Sequence, residues 1–213
     1  LKNNSFLIAT DTSLPFLLKN KITPDLVISI DCQHITFHHF LAGFPNTIPL
    51  VLDLASPSWL TRQTKNIVFF TSGHPFSQYV NKYLRSFPHI DTSGGNVSHA
   101  AISLAEKLGA KEIFLLGIDF SYPQGKSYAR GTYLYPYFLS KSTRLNPGEN
   151  NFVSFIFYNK HIVSKEKDFG ITYTTTPMIS YKKRLETSFK DINAKIIQIS
   201  GLGEELNLTE NNN

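Results

Sequence analysis

Thr92-Ser93-Gly94-Gly95 stand directly before a stretch with helical spacing, so hydroxyls and small residues meet the start of a helix. The first backbone amides of a helix lack partners and carry partial positive charge, which suits a phosphate or a ribose hydroxyl. Glycine there lets a ligand approach the backbone, although a plain helix cap uses the same residue types. Beyond that helix, Gly117-Ile118-Asp119-Phe120 close the next apolar run. Gly125-Lys126-Ser127-Tyr128-Ala129-Arg130-Gly131-Thr132 then add hydroxyls, with Lys126 and Arg130 as cations. A tyrosine hydroxyl or an arginine guanidinium can stabilise charge on a departing phosphate without any metal.

A second set of groups is acidic. Asp11, Asp31, Asp53 and Asp119, with Ser72, each follow a short apolar run. Taken singly, an aspartate after a strand reads as a helix cap. Several at one sheet edge read as a ligand site, and carboxylates so placed are natural magnesium ligands when water and phosphates complete the shell. His34, His38 and His39 have helix-compatible spacing, with Asp31 near in sequence, but a metal needs a third ligand at defined geometry. His99 lies one turn inside the helix after Gly95 and reads as structural. The sequence has no Gly-x-Ser-x-Gly elbow, no Walker-type loop and no Cys-His pair.

The elements that must position these residues alternate. Ser5–Thr10, Leu26–Ile30, Ile48–Leu52, Ile67–Phe70 and Ile113–Gly117 read as buried strands, with helical patterns between them. Leu14–Lys19 is one helix. Phe76, Tyr79, Val80, Tyr83, Leu84 and Phe87 have the spacing of one face of a second, and Val97, Ala100, Ala101, Leu104, Ala105 and Leu108 that of a third, stopped by Gly109. Strand–helix alternation predicts an α/β fold: a Rossmann-like parallel sheet with helices on both faces. Residues 121–173, rich in tyrosine and broken by prolines, are expected to form an irregular lid-like insertion in a single domain spanning 1–213. Thr176-Pro177 is expected to start a last long helix with Met178, Tyr181, Leu185 and Ile192 inward, Lys195–Ile199 to close the sheet, and the Asn-rich end after Leu208 to fray.

Composition narrows the function classes. The 213 residues are 41% hydrophobic and 17% charged, as in globular chains. A formal charge of +5 favours anionic ligands, but the cations are scattered rather than striped along a helix, which argues against nucleic acid. No apolar run is long enough for a membrane helix, and no basic start with an apolar stretch marks a secretory signal. One cysteine, Cys32, excludes an internal disulfide and a multi-thiolate zinc site, so the expected location is the cytoplasm.

Pro24–Asp31, Thr92-Ser93-Gly94, Gly94-Gly95-Asn96-Val97, Leu108–Ile113, Gly117-Ile118-Asp119-Phe120 and Ser127-Tyr128-Ala129 carry a family resemblance. They resemble the core of bacterial sialyltransferases that use CMP-sialic acid. They look still more like the motility accessory factor (Maf) family, implicated in glycosylating flagellin with nonulosonic acids, which shares a domain with 6-hydroxymethylpterin diphosphokinase-like proteins. The resemblance spans about Phe6 to Thr132 and resumes around Tyr181 to Leu206. It implies a glycosyltransferase-like domain that binds a CMP-activated nonulosonic sugar and passes it to an acceptor, a protein such as flagellin among the candidates. Tyr128, and Tyr122 with one loop residue inserted, match tyrosines that hydrogen-bond the leaving phosphate. Asp11, Asp31, Thr92, Ser93, Gly94, Gly95, Asp119, Lys126 and Arg130 would line the nucleotide site. The alternatives are a diphosphokinase holding ATP and Mg²⁺ through Asp11, Asp31 and Asp119, and a non-catalytic nucleotide-binding descendant. Sialyltransferases have Asn where Asp11 and Asp31 stand, and their general base, a histidine before the last helix, has no counterpart within Thr174–Pro177. The family domain opens with an earlier strand and a Gly-x-Gly-Pro-Ser-Leu turn, so the first strand and phosphate-binding loop are expected to be missing from this chain.

Overall fold

The computed structural model describes residues 5–158 and 161–208, with the side chains of residues 34 and 35 outside that description, as is the Asn-rich end expected to fray. The chain divides into two compact units. The first runs to Leu108 and takes in Gly131–Tyr133; the second holds Gly109–Arg130 and continues from Leu134.

In the first unit, β1 (Ile8–Thr10), β2 (Leu26–Ser29), β3 (Leu50–Asp53) and β4 (Ile67–Phe70) lie parallel in that order. Ile28 pairs with Thr10 on one side and Val51 on the other, and Val51 with Val68. Every residue of β2 and β3 is buried, as continuous apolar runs require of strands covered on both faces. The pleat sorts them. Val27, Leu50 and Leu52 pack with Leu14, Phe40 and Leu60, while Leu26, Ile28 and Val51 pack with Phe70, Ile90, Ala100 and Leu104. Helix α1 (Leu14–Lys19) and two 3-10 segments, His34–Phe40 and Ser58–Arg62, therefore supply one layer. After α2 (Pro75–Tyr83), α3 (Val97–Lys107) supplies the other, and Gly109 follows it at φ +86°. This is the α/β architecture the alternation of runs predicted.

Helix α2 departs from its spacing. Phe76 and Tyr83 are both 61% exposed, and Tyr79 and Leu84 are exposed with them. The buried residue is Ser77, whose hydroxyl donates to Asp53 Oδ1 at 3.1 Å. A polar anchor on the sheet edge thus decides which side of α2 faces inward, and the aromatic side faces out.

In the second unit, β5 (Glu112–Leu115) lies parallel to β9 (Lys195–Gln198), with Ile113 beside Ile196. A separate antiparallel sheet has the order β6 (Tyr122–Pro123), β8 (Gly170–Thr175), β7 (Ile162–Lys167). Helices α4 (Leu134–Ser140) and α5 (Gly148–Phe157) fill much of the stretch expected to be irregular, so its described parts, 121–158 and 161–173, hold regular structure. Its core is aromatic: Phe152 meets Tyr135 at 4.7 Å and Phe138 at 4.9 Å between centroids. Helix α6 (Thr176–Ser188) is capped by Thr175, whose hydroxyl accepts the Met178 amide at 3.5 Å. Leu185 is fully buried, while Ile192 lies past the helix end. No helix among the described residues is long and apolar enough to cross a membrane.

Candidate functional site

The turn before α3 is built by side chains. Asp91 accepts the Ser93 amide at 2.9 Å through Oδ1 and the Ser93 hydroxyl at 3.1 Å through Oδ2. The Gly94 amide donates to His99 Nδ1 at 2.7 Å, and the Gly95 amide to Thr92 O at 2.9 Å. Gly95 is left-handed at φ +74°. Gly94 is glycine for another reason: a Cβ there would collide with the His99 ring. The amides of Ser93, Gly94 and Gly95 are therefore taken up internally, in contrast to the open glycine turn the sequence suggested. Asn96 caps α3 by accepting the His99 amide at 3.0 Å, and among the described residues the Val97 and Ser98 amides have no hydrogen-bond partner. An anion at this turn would meet those two amides beside the Thr92 hydroxyl, and the Ser93 hydroxyl only if it turned away from Asp91. Partial burial pushes the Asp91 carboxyl up, but the Ser93 bonds, with His99 and His89 behind them, outweigh it and hold it below the usual carboxylate range.

The acids ending β1 and β2 differ in freedom. Asp11 is 3% exposed, and its Oδ2 accepts the Ser29 hydroxyl at 2.6 Å. Its Oδ1 accepts the Thr12 amide at 2.7 Å and the Thr12 hydroxyl at 3.2 Å. Asp11 thereby ties the end of β1 to the end of β2. Ser29→Ala is expected to destabilise the chain by about 1–3 kcal/mol, since a buried carboxylate loses a donor, and chemical denaturation reads the loss directly. Asp31 Oδ1 accepts the Gln33 amide at 2.8 Å. His39 is 8% exposed and edge-on to Tyr133 at 4.6 Å, while His38 stacks on the same ring at 5.6 Å. Among the described residues, His39 Nδ1 is buried without a hydrogen-bond partner. Burial pushes the His39 pKa down against the pull of Asp11 and Asp31, with His38 adding to the fall. No group of three His, Cys, Asp or Glu among the described residues is arranged to hold a metal, and the His34 side chain lies outside that description.

The two tyrosines come together on one ring. Tyr122 is 6% exposed and Tyr128 is 38% exposed, and they meet Phe155 at 6.5 and 6.3 Å. Burial, with Tyr128 beside it, pushes the Tyr122 hydroxyl up to about 12, so at neutral pH it is a protonated donor. A folded-state value above the ordinary one of about 10 favours the neutral form, so this group's contribution to stability holds below about pH 10 and is lost as pH rises towards about 12. Tyrosinate absorbance is expected to show one late phenol that Tyr122→Phe removes. Lys126 donates to Gln124 Oε1 at 2.6 Å, and Arg130 is exposed.

Asp119 follows β5 and is held by its backbone. Its carbonyl accepts the Ser121 hydroxyl at 3.1 Å and the Glu204 amide at 2.8 Å. Phe120 stands at φ 46°, a costly position for a bulky side chain, with its carbonyl fixed by the Thr174 hydroxyl at 3.0 Å. Gly203 presses so closely that a Cβ would strike the Asp119 backbone. Asp119 is exposed as a residue, yet its carboxyl is crowded by this loop, and partial burial pushes its pKa up. A surface hollow of about 480 Å³ lies alongside, lined by Lys167, Phe169, Gly201, Gly203 and Glu204.

Of the residues singled out from sequence, Thr92, Ser93, Gly94 and Gly95 share one turn, Asp11 and Asp31 end neighbouring strands, and Tyr122 and Tyr128 share one aromatic neighbour. Asp119, Lys126 and Arg130 belong to the unit that holds the tyrosines. Sequence reasoning missed Asp91 and His99 as turn builders, His39 with Tyr133, and Gly203. Asp91 was legible, because an aspartate two residues before a serine is the signature of an Asx turn. The others depend on contacts that spacing does not encode.

A family model described as 6-hydroxymethylpterin diphosphokinase MptE-like matches residues 1–125. Among curated proteins, an uncharacterized protein of Treponema pallidum (strain Nichols) is 34% identical over 152 residues, covering 70% of this chain and 54% of that protein. A second from the same organism is 28% identical over 151 residues, covering 68% of this chain and 26% of its own length. The chain thus spans about half of the first relative and about a quarter of the second. Among solved structures, a MAf glycosyltransferase from Magnetospirillum magneticum AMB-1 matches with a TM-score of 0.63 at 16% identity, over 98% of this chain and 32% of that one. At that identity the likeness is one of fold.

Proposed function

Because the chain belongs to the 6-hydroxymethylpterin diphosphokinase MptE-like family, and its fold is glycosyltransferase-like, we propose that it is a nucleotide-binding transferase domain acting on a CMP-activated nonulosonic sugar. The observation that carries this reading is the tyrosine pair on Phe155, with one hydroxyl held protonated far above neutral pH. Breaking the sugar–phosphate bond leaves new negative charge on the phosphate oxygen. A fixed, protonated hydroxyl stabilises that charge without needing a metal. Tyr122 is the stronger donor candidate because it is buried and preset, and Tyr128 assists from the exposed side. In the first unit, Thr92, Ser93 and the open α3 amides are the candidates for a nucleotide phosphate, with Asp31 a candidate for a ribose or base contact; in the second unit, taken by itself, Asp119, Lys126 and Arg130 are candidates for sugar contacts. An acceptor hydroxyl, on a protein such as flagellin, attacks the anomeric carbon. Incubation with a CMP-activated nonulosonic sugar and an acceptor is expected to release CMP at a rate set by enzyme concentration. Release no faster than in buffer would defeat the reading.

The second reading is a Mg²⁺-dependent diphosphokinase, favoured by the description of the matching family. Asp11 suits it poorly, because both its oxygens already accept hydrogen bonds from Ser29 and Thr12. Nucleotide binding that disappears with a chelator would favour the diphosphokinase, and binding indifferent to it the transferase.

A further inference from the structure

The contacts that shape the start of α3 run through one imidazole. His99 is 2% exposed; its Nδ1 accepts the Gly94 amide at 2.7 Å, and its Nε2 faces Asp91 Oδ2 at 3.6 Å. An accepting Nδ1 fixes the tautomer, with the proton on Nε2 pointing at the carboxylate. The ring occupies the space a side chain on Gly94 would need. Asp91 in turn holds the amide and hydroxyl of Ser93. Imidazole, carboxylate and turn therefore form one network.

We propose that His99 is a positioning residue and a proton-operated latch for the anion site at the start of α3: neutral, it holds the Thr92–Gly95 turn in its ligand-ready shape, and protonated, it lets Gly94 go. The proposal rests on the reading of this turn as a nucleotide-phosphate site and adds how that site is regulated. A proton on Nδ1 would set two donors against each other at the Gly94 amide, so that hydrogen bond cannot survive. Two effects compete over the proton. Burial disfavours the charged ring, whereas Asp91 attracts it, and burial wins, so His99 stays below the ordinary histidine value. Asp91 is the charged group facing the ring, and His89 acts electrostatically on Asp91. A base whose folded-state value is depressed contributes stability above the ordinary histidine range of about 6.5 and loses it as pH falls below that. A bare positive charge beside an anion site would tighten anion binding in acid. The latch has the opposite sign.

His99→Asn puts a carboxamide oxygen near the place of Nδ1, so it can accept the Gly94 amide yet cannot titrate. CMP affinity of the wild-type chain and the variant is compared by calorimetry at about pH 7.5 and about pH 5.5, as a ratio, so that titration of CMP itself cancels. Wild type is expected to weaken at the lower pH by at least roughly threefold relative to His99→Asn, and His99→Ala to bind weakly at both. Equal ratios, or tighter wild-type binding in acid, overturn the latch. Nuclear magnetic resonance on the wild-type chain gives a second reading independent of any nucleotide. The Gly94 amide and the His99 ring should titrate with one midpoint, below the ordinary histidine value. A Gly94 signal that stays still while His99 protonates overturns the proposal. If CMP binds at neither pH but Gly94 tracks His99, the nucleotide reading fails and the latch stands.

Discussion

Tyr122→Phe is expected to slow transfer from a CMP-activated sugar by roughly 10²–10³-fold, the cost of removing one preset donor to a developing oxyanion. The substitution keeps the ring that packs against Phe155 and removes only the hydroxyl, so the fold should be retained. The loss should fall on kcat, with KM nearly unchanged, because the donor acts on charge that appears only as the bond breaks. Tyr128→Phe should cost less, about tenfold, because an exposed hydroxyl has water as an alternative and is less fixed. Initial rates of CMP release at saturating donor separate the two. Rates within about twofold of wild type for both variants would remove the tyrosines from the chemistry.

The largest stability effect is expected at Gly203→Ala. Its φ is ordinary, so the demand for glycine there comes from contact: a Cβ would strike the backbone of Asp119, and backbone cannot turn aside as a long side chain can. The Glu204 amide bond to the Asp119 carbonyl at 2.8 Å pins the two segments at that separation. Overpacking of this kind costs about 2–3 kcal/mol, or roughly 5–10 °C in unfolding temperature for a chain of this size. Gly73→Ala is the control, because nothing lies within 4 Å of the added carbon, and it should stay within about 0.5 kcal/mol. Calorimetric scans of the two variants side by side test this contact. Equal unfolding temperatures would mean that Gly203 does not press on Asp119.

What the sequence made legible follows from how strongly burial constrains each element. β2 and β3 were readable because strands covered on both faces are built from continuous apolar runs, here Leu26-Val27-Ile28 and Leu50-Val51-Leu52, with the buried polar residues Ser29 and Asp53 only at the ends. Helix α1 was read over the residues it occupies, Leu14–Lys19, and Gly109 follows the end of α3 in the left-handed conformation a helix stop calls for. Residues 121–173 were not legible. β7 reads Ile-Val-Ser-Lys-Glu-Lys and is exposed or half-buried throughout, so it has no apolar period, and α4 and α5 are held by aromatic contacts between distant positions. Helix α2 shows the same gap from the other side: helical spacing was right, but the residue buried on its inward face is Ser77, hydrogen-bonded to Asp53. At the candidate site, residue types located the turn before α3, but which amides stay open depended on Asp91 and His99. Nor could sequence say that Tyr122 is buried.

The central claim is that this domain holds a cytidine nucleotide, and CMP titration followed by thermal unfolding tests it most directly. A ligand at one hundred times its Kd stabilises the native state by about 2.7 kcal/mol, so the unfolding temperature of the wild-type chain should rise saturably by roughly 5–10 °C. An unfolding temperature that does not move at millimolar CMP, in a chain otherwise folded, would contradict the account.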